Sequence, residues 1–320
     1  MMPAAASAVG VTGANGFVGR AVCEGLRERG LLVRPLVRRT TGNPGEAVVG
    51  DIDRRTPWKS ALKDLQVVVH CAAHVHQMGA DADQQASTYH EVNTEGTLQL
   101  ARCAAEAGVR RLVFISTVKV LGEHTQPGQP FRHDSAPQPS DPYGQSKWAA
   151  EQGLRRMEAD TGLEVVVIRP PLVYGAGVGA NFAALVRLVG SGWPLPLGAL
   201  DNQRSMVGLR NLVDLICLAG FAPVAGGQTF LVSDGEDLST PQLISRIALA
   251  LKRPARMWGV PPGLLRLGAH LVGRSEQMER LTGSLQVDIS RTRELLDWTP
   301  PYRVNDELQL TVAPFLGKTA

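Results

Sequence analysis

Short apolar runs alternate along the first half of the chain with stretches in which apolar residues recur at helical spacing. The runs at residues 4–11, 31–37, 47–53, 66–73, 111–117 and 163–169 read as strands. Val67-Val68-Val69 shows no polar alternation, which suits a parallel strand buried on both faces. Residues 17–29, 87–107 and 144–161 carry the helical period, and residues 74–86 read as a polar loop. Strands alternating with helices call for right-handed crossovers and a mostly parallel sheet covered on both sides. The predicted fold is therefore doubly wound α/β, with any ligand at the carboxyl ends of the strands.

Beyond Pro170 the rhythm changes. Residues 174–179 are glycine-rich, and residues 193–198 and 254–263 are rich in proline and glycine, as expected for loops of a smaller, irregular lobe over the strand ends. Residues 211–219 and 228–232 read as a helix and a strand able to return to the main sheet.

Composition narrows the function. The 320 residues are 44% hydrophobic and 20% charged with a formal net charge of +3, ordinary globular values that point to no nucleic-acid partner. The cysteines, Cys23, Cys71, Cys103 and Cys217, are widely spaced, suggesting neither a disulfide framework nor a zinc site, and the histidines show no metal-ligand spacing. No apolar stretch is long enough to span a bilayer and no signal-peptide pattern precedes the first strand, so a cytoplasmic protein without a membrane partner is expected.

Two stretches carry chemistry. Thr12-Gly13-Ala14-Asn15-Gly16-Phe17-Val18-Gly19 lies between the first strand and the first helix. Glycines allow close backbone approach there, and a helix start offers unpaired N–H groups and a positive dipole end, so a dinucleotide pyrophosphate is the expected guest. Tyr143-Gly144-Gln145-Ser146-Lys147 places a phenol and an ammonium four residues apart on one helix face. An adjacent ammonium lowers the phenol pKa from near 10, making the pair suited to general acid/base chemistry.

With these motifs the chain resembles the extended short-chain dehydrogenase/reductases, the NAD-dependent epimerase/dehydratase family. The resemblance extends to Gly50-Asp51-Ile52, His70-Cys71-Ala72-Ala73, Asn93-x-x-Gly96-Thr97, Ser116-Thr117, Arg169-Pro170-x-x-x-Tyr174-Gly175 and Leu295-x-x-x-x-Pro300. It implies a Rossmann sheet over residues 1–172 and 206–232, with residues 173–205 and 233–320 forming a substrate-binding lobe. It further implies that Gly13, Asn15, Gly16, Phe17, Val18 and Gly19 cradle the cofactor phosphates, and that Asp51 and Ile52 border adenine. Ala72, Ala73 and Asn93 line the cofactor; Pro170 and Val173 flank the nicotinamide. Tyr143 is the implied acid/base, Lys147 holds the nicotinamide ribose, and Thr117 steadies the substrate oxygen. His76, Lys119, Asn181 and Arg204 are the implied substrate contacts, with residues 193–198 beside a uracil.

Cofactor choice is read at the end of the second strand, where a carboxylate selects NAD and positive charge suits a 2′-phosphate. Val37 stands there, followed by Arg38 and Arg39, which favours NADPH over NADH. Sugar 4,6-dehydratases carry Thr-Asp-Glu where this chain has Thr117-Val118-Lys119, so the carboxylates that expel water are absent. Leu172 replaces an asparagine usual in 4-epimerases. The resemblance thus favours a reductase of a UDP-linked 4-keto sugar, of the kind forming UDP-N-acetylquinovosamine for bacterial surface polysaccharide, with UDP-hexose 4-epimerase as the alternative. A non-catalytic NADP sensor stays open, although such proteins typically lose the tyrosine or lysine. A homodimer through two long helices is also implied.

Overall fold

The structure is a computed structural model that describes residues 8–75, 82–126, 128–271, 273 and 275–316. The first half alternates strand and helix as the periodicity requires: β1 (Ala8–Thr12), α1 (Phe17–Glu28), β2 (Leu32–Val37), β3 (Ala47–Val48), α2 (Lys59–Leu62) and β4 (Val67–His70). Next come α3 (Ala82–Tyr89), a π-helical segment (His90–Glu95), α4 (Gly96–Glu106), β5 (Arg111–Ile115), α5 (Pro142–Thr161) and β6 (Glu164–Arg169). The later chain adds β7 (Leu172–Tyr174), α6 (Ala180–Gly190), β8 (Met206–Gly208), α7 (Leu209–Phe221) and β9 (Thr229–Leu231). It ends in α8 (Thr240–Ala250), α9 (Pro262–Leu271), α10 (Ser275–Thr282), α11 (Ser290–Leu296) and α12 (Val304–Val312).

Seven strands form one all-parallel sheet in the order β3-β2-β1-β4-β5-β6-β9. Chain order reverses between β1 and β4, which opens a crevice at their carboxyl ends. In β4, Val67 and Val69 pack into the core on the α1 and α7 side, while Val68 enters the opposite core with Leu100 and Ala150. The period-2 geometry of a strand thus feeds both cores from one apolar run. Where α1 meets α7 the backbones approach closely: a Cβ on Gly25 would lie 2.4 Å from Val213 Cγ1.

Two expectations are corrected. The later lobe is mainly helical rather than irregular, and it has its own core around Tyr174, Phe182, Ile244 and Ile247. Its helices were signalled locally: Ser239 accepts a hydrogen bond from the Gln242 amide while Gln242 reaches back to the Ser239 amide, a complete capping box. Helix also begins at Ala82, inside the expected polar loop, and the helix over 87–107 is interrupted by the π-helical turn. No helix among the described residues is long and apolar enough to cross a membrane.

Candidate active site

The first loop of the crevice is the turn from β1 to α1. Gly13 has φ +64° and its carbonyl accepts the Gly16 amide at 2.8 Å. A Cβ on Gly19 would lie 2.1 Å from the Gly13 oxygen, and one on Gly13 would lie 2.8 Å from the Ala72 nitrogen. Both substitutions are therefore blocked by backbone, and the close packing sets the ends of β1 and β4 side by side. Asn15 and Gly16 are exposed, and α1 begins with no side-chain cap and no acidic residue in its first turn. No side chain of the cap thus competes for its first amides, as an anion site requires.

Beneath the turn runs a buried hydrogen-bond chain. The Ala72 amide donates to Thr12 Oγ1 at 3.2 Å, and Thr12 Oγ1 lies 2.6 Å from His70 Nδ1. On the other side His70 Nε2 lies 3.0 Å from Thr97 Oγ1, which donates to the Asn93 carbonyl at 2.7 Å. Since Thr97 spends its proton on Asn93, His70 donates from Nε2 and accepts at Nδ1, a neutral tautomer assigned by the network. Burial, then the Lys147 charge, push His70 down to about 3.

The acid/base pair is set by α5. Asp141 caps this helix by accepting the Gly144 amide at 2.6 Å, and Pro142 occupies its first turn. Tyr143 is half-buried, and its ring meets Tyr89 edge-on at 5.9 Å between centroids; Tyr89 in turn packs on the His74 ring at 5.3 Å. Lys147 is only 1% exposed, with Nζ 4.0 Å from the centroid of Phe114, and that ring stacks on His70. The expectation of a lowered phenol pKa is overturned: burial, then the charges of Asp141 and Tyr89, push Tyr143 above its ordinary value. Lys147 bears the cost instead, because desolvation lowers its ammonium to about 7 against the raising influence of Glu151 and Cys71. The resting pair is a protonated phenol beside an ammonium poised near neutrality.

The π-helical turn carries a second organiser. Asn93 Oδ1 accepts the His74 amide at 2.7 Å, while its Nδ2 donates to the His74 carbonyl and to Ser146 Oγ, both at 3.1 Å. One carboxamide thereby ties the segment after β4 to the helix of Tyr143 and Lys147. Across the crevice, Thr117 is buried at the end of β5 and accepts the Lys119 amide at 3.3 Å; the next amide, Val118, donates to the Pro170 carbonyl at 2.9 Å. Thr117, Pro170, Tyr143, Lys147 and Asn93 are thus placed around the ends of β4, β5 and β6.

The remaining residues named from sequence fall in several places. Ala72, Ala73 and Val173 are half-buried, and Ile52 packs against Gly96, where a Cβ would lie 2.6 Å from Ile52 Cγ2. Arg38 and Asp51 are exposed at the ends of β2 and β3 and form an ion pair at 3.5 Å. Lys119 binds the carboxylates of Asp141 and Glu123. Burial works against its charge, but the hydrogen bonds to Asp141 and Glu123 outweigh it and hold Lys119 above its ordinary value. Asn181 is exposed near the start of α6, and Arg204 donates to the Gly283 carbonyl at 3.1 Å within the later lobe. His76 lies outside the described residues. Sequence reasoning missed Tyr89, Phe114 and the Glu151–Arg169 pair. The only local signal for Glu151 is its position one helical turn after Lys147.

The residues present fit a dinucleotide: the turn would be filled by a Cβ at Gly13 or Gly19, and the buried Lys147 ammonium faces a ring rather than a carboxylate. Fold and site together define a Rossmann-type dinucleotide-dependent protein of the extended short-chain dehydrogenase/reductase class. Residues 9–232 match the sequence profile of the NAD dependent epimerase/dehydratase family, and the chain belongs to that family. It is 44% identical over 310 residues to a UDP-glucose 4-epimerase of Vibrio cholerae, covering 96% of this chain and 94% of that protein. A UDP-glucose 4-epimerase of Mycolicibacterium smegmatis is 31% identical, covering 97% and 98%. Among solved structures, MoeE5 in complex with UDP-glucose and NAD matches with a TM-score of 0.75 and 25% identity over 95% of this chain and 97% of that one.

Proposed function

We propose that the chain performs nicotinamide-dependent chemistry at carbon 4 of a UDP-linked hexose, with 4-epimerisation as the overall reaction. The observation that carries this reading is the full-length likeness to the Vibrio cholerae UDP-glucose 4-epimerase together with an intact Tyr143–Lys147 pair. A bound nicotinamide supplies a carbon that accepts a hydride and returns it. Once its own proton has left, Tyr143 as a phenolate would take the proton of the carbon-4 hydroxyl on oxidation and give it back on reduction. Lys147 holds the ribose and offsets charge on the phenolate, and Thr117 Oγ1 hydrogen-bonds the reacting oxygen. Gly13 to Gly19 and the start of α1 hold the pyrophosphate. Residues 173–205 and 233–320 form the substrate lobe, in which Arg204 and Asn181 contact the UDP diphosphate. Val118 and Lys119 offer no free carboxylate for water elimination, which speaks against dehydration.

A second reading is favoured by particular residues. Arg38 and Arg39, with no acid at the end of β2, suit NADPH and an exchangeable cofactor. The protonated resting Tyr143 is the state that donates to a 4-keto sugar, and Leu172 departs from the epimerase pattern. These support a reductase of a UDP-4-keto sugar serving surface polysaccharide synthesis. One experiment separates the readings. Purified chain is incubated with UDP-glucose and NAD, and separately with UDP-4-keto-6-deoxy-N-acetylglucosamine and NADPH or NADH. Formation of UDP-galactose supports the epimerase; net nicotinamide oxidation with no sugar interconversion supports the reductase. Turnover lost in Tyr143→Phe ties either activity to this site, and no turnover in both assays leaves the sensor. We place the chain in the cytoplasm as a homodimer joined through long helices, checked by fractionation and light scattering.

A further inference from the structure

The later lobe presents an apolar face that carries none of the acid/base or cofactor-cradling residues. Trp193 is 74% exposed and Trp258 is 56% exposed, while Leu264, Leu267 and Leu271 of α9 are 60%, 57% and 78% exposed. At about 100° per residue these three leucines fall within roughly 60° of arc on the helix. Leu265 and Ala269 lie on the opposite side and are buried. Leu265 packs into the same small core as Leu195 and Leu197, and Trp258 donates its amide to the Leu195 carbonyl at 3.0 Å. The two tryptophans and the leucine stripe are therefore borne by adjoining segments over one core.

Charge says what this face meets. Residues 238–275 contain Arg246, Lys252, Arg253, Arg256, Arg266 and Arg274 and not one aspartate or glutamate. Lys252 and Arg256, in the segment between α8 and α9, are exposed, and neither forms an ion pair with a described residue; Arg266 is exposed on α9 but lies about 100° or more round the helix from the three leucines. Outward leucines, exposed indoles and unopposed cations are the combination that binds at the headgroup level of an anionic bilayer, where indoles favour the interface and each cation gains from the surface potential. A second copy suits the face poorly, because a two-fold contact would bring the same cations together on both sides.

We propose that this face is a peripheral docking surface for an anionic lipid bilayer, holding the lobe against the membrane without crossing it. The test uses the full chain with vesicles of phosphatidylcholine alone and of phosphatidylcholine mixed with phosphatidylglycerol. The chain is expected to sediment with the mixed vesicles at low salt, to shift its tryptophan emission to the blue, and to be released at about 1 M salt, where the screening length is about 3 Å. Lys252→Glu with Arg256→Glu, and separately Leu264→Ser with Leu267→Ser and Leu271→Ser, are each expected to lower partitioning by at least about tenfold while leaving sugar turnover in solution and Tm unchanged. Trp193→Phe with Trp258→Phe should abolish the blue shift. Absence of binding to mixed vesicles, or equal binding to neutral ones, overturns the proposal. So does a fall in oligomer size by light scattering in the triple leucine variant, which would make the face a contact between copies.

Discussion

Replacing Glu151 by glutamine removes the carboxylate that Arg169 pairs with in the interior. Arg169 Nη2 donates to Glu151 Oε2 at 2.6 Å and its Nε lies 3.1 Å from Oε1, with both side chains almost wholly buried. Ser116 Oγ, next to Thr117, donates to the same carboxylate. Glutamine keeps the shape but turns an NH₂ toward the guanidinium and leaves its charge unopposed. Breaking a buried pair in this way costs about 3–5 kcal/mol. At about 2 °C per kcal/mol for a chain of this size, Tm should fall by about 6–10 °C. Glu151 also supports the charge on Lys147. In the variant Lys147 therefore loses its proton at lower pH, and the alkaline limb of kcat/KM moves down with it. The assays are calorimetry and a pH–rate profile. Glu151→Leu with Arg169→Met, which removes both charges, should recover most of the lost stability. A Tm loss under about 2 °C for Glu151→Gln, or a double variant less stable than the single, would refute the reasoning.

Gly19→Ala should abolish cofactor binding by titration calorimetry, because its Cβ would fall 2.1 Å from the Gly13 oxygen. His70 has a folded pKa of about 3 against 6.5 ordinarily, so its contribution to stability is present above pH 6.5 and is lost as pH falls toward 3. His70→Gln should flatten the acid limb of urea-unfolding stability across that window. Lys147 is depressed from 10.5 to about 7, so the unfolded chain binds the extra proton and stability rises from pH 7 toward 10. Lys147→Met should remove that rise in the same measurement. Asn93→Ala unties His74 from Ser146; each lost hydrogen bond is worth about 1 kcal/mol, and kcat should fall more than Tm alone explains.

The sequence by itself determined the parts whose physics is local. The apolar run of β4 demanded burial on both faces, the glycines demanded a turn at Gly13, and the spacing of Tyr143 and Lys147 demanded a shared helix face. The start of α5 is likewise local, since the Asp141 cap is satisfied within one turn. Tertiary structure decided what depends on groups far apart in the chain. Only strand order sets Ala72 against Gly13 and threads Thr12, His70 and Thr97 into one hydrogen-bond chain. Only packing stands Tyr89 against Tyr143 and buries the phenol, so that desolvation, with the charges of Asp141 and Tyr89, raises its pKa where the sequence led one to expect a fall. Lys119 looks free in sequence, yet the fold delivers Asp141 to it from 22 positions away. Hydrophobic period and backbone geometry act over a few residues, whereas desolvation and charge pairing depend on everything the fold brings within a few ångströms.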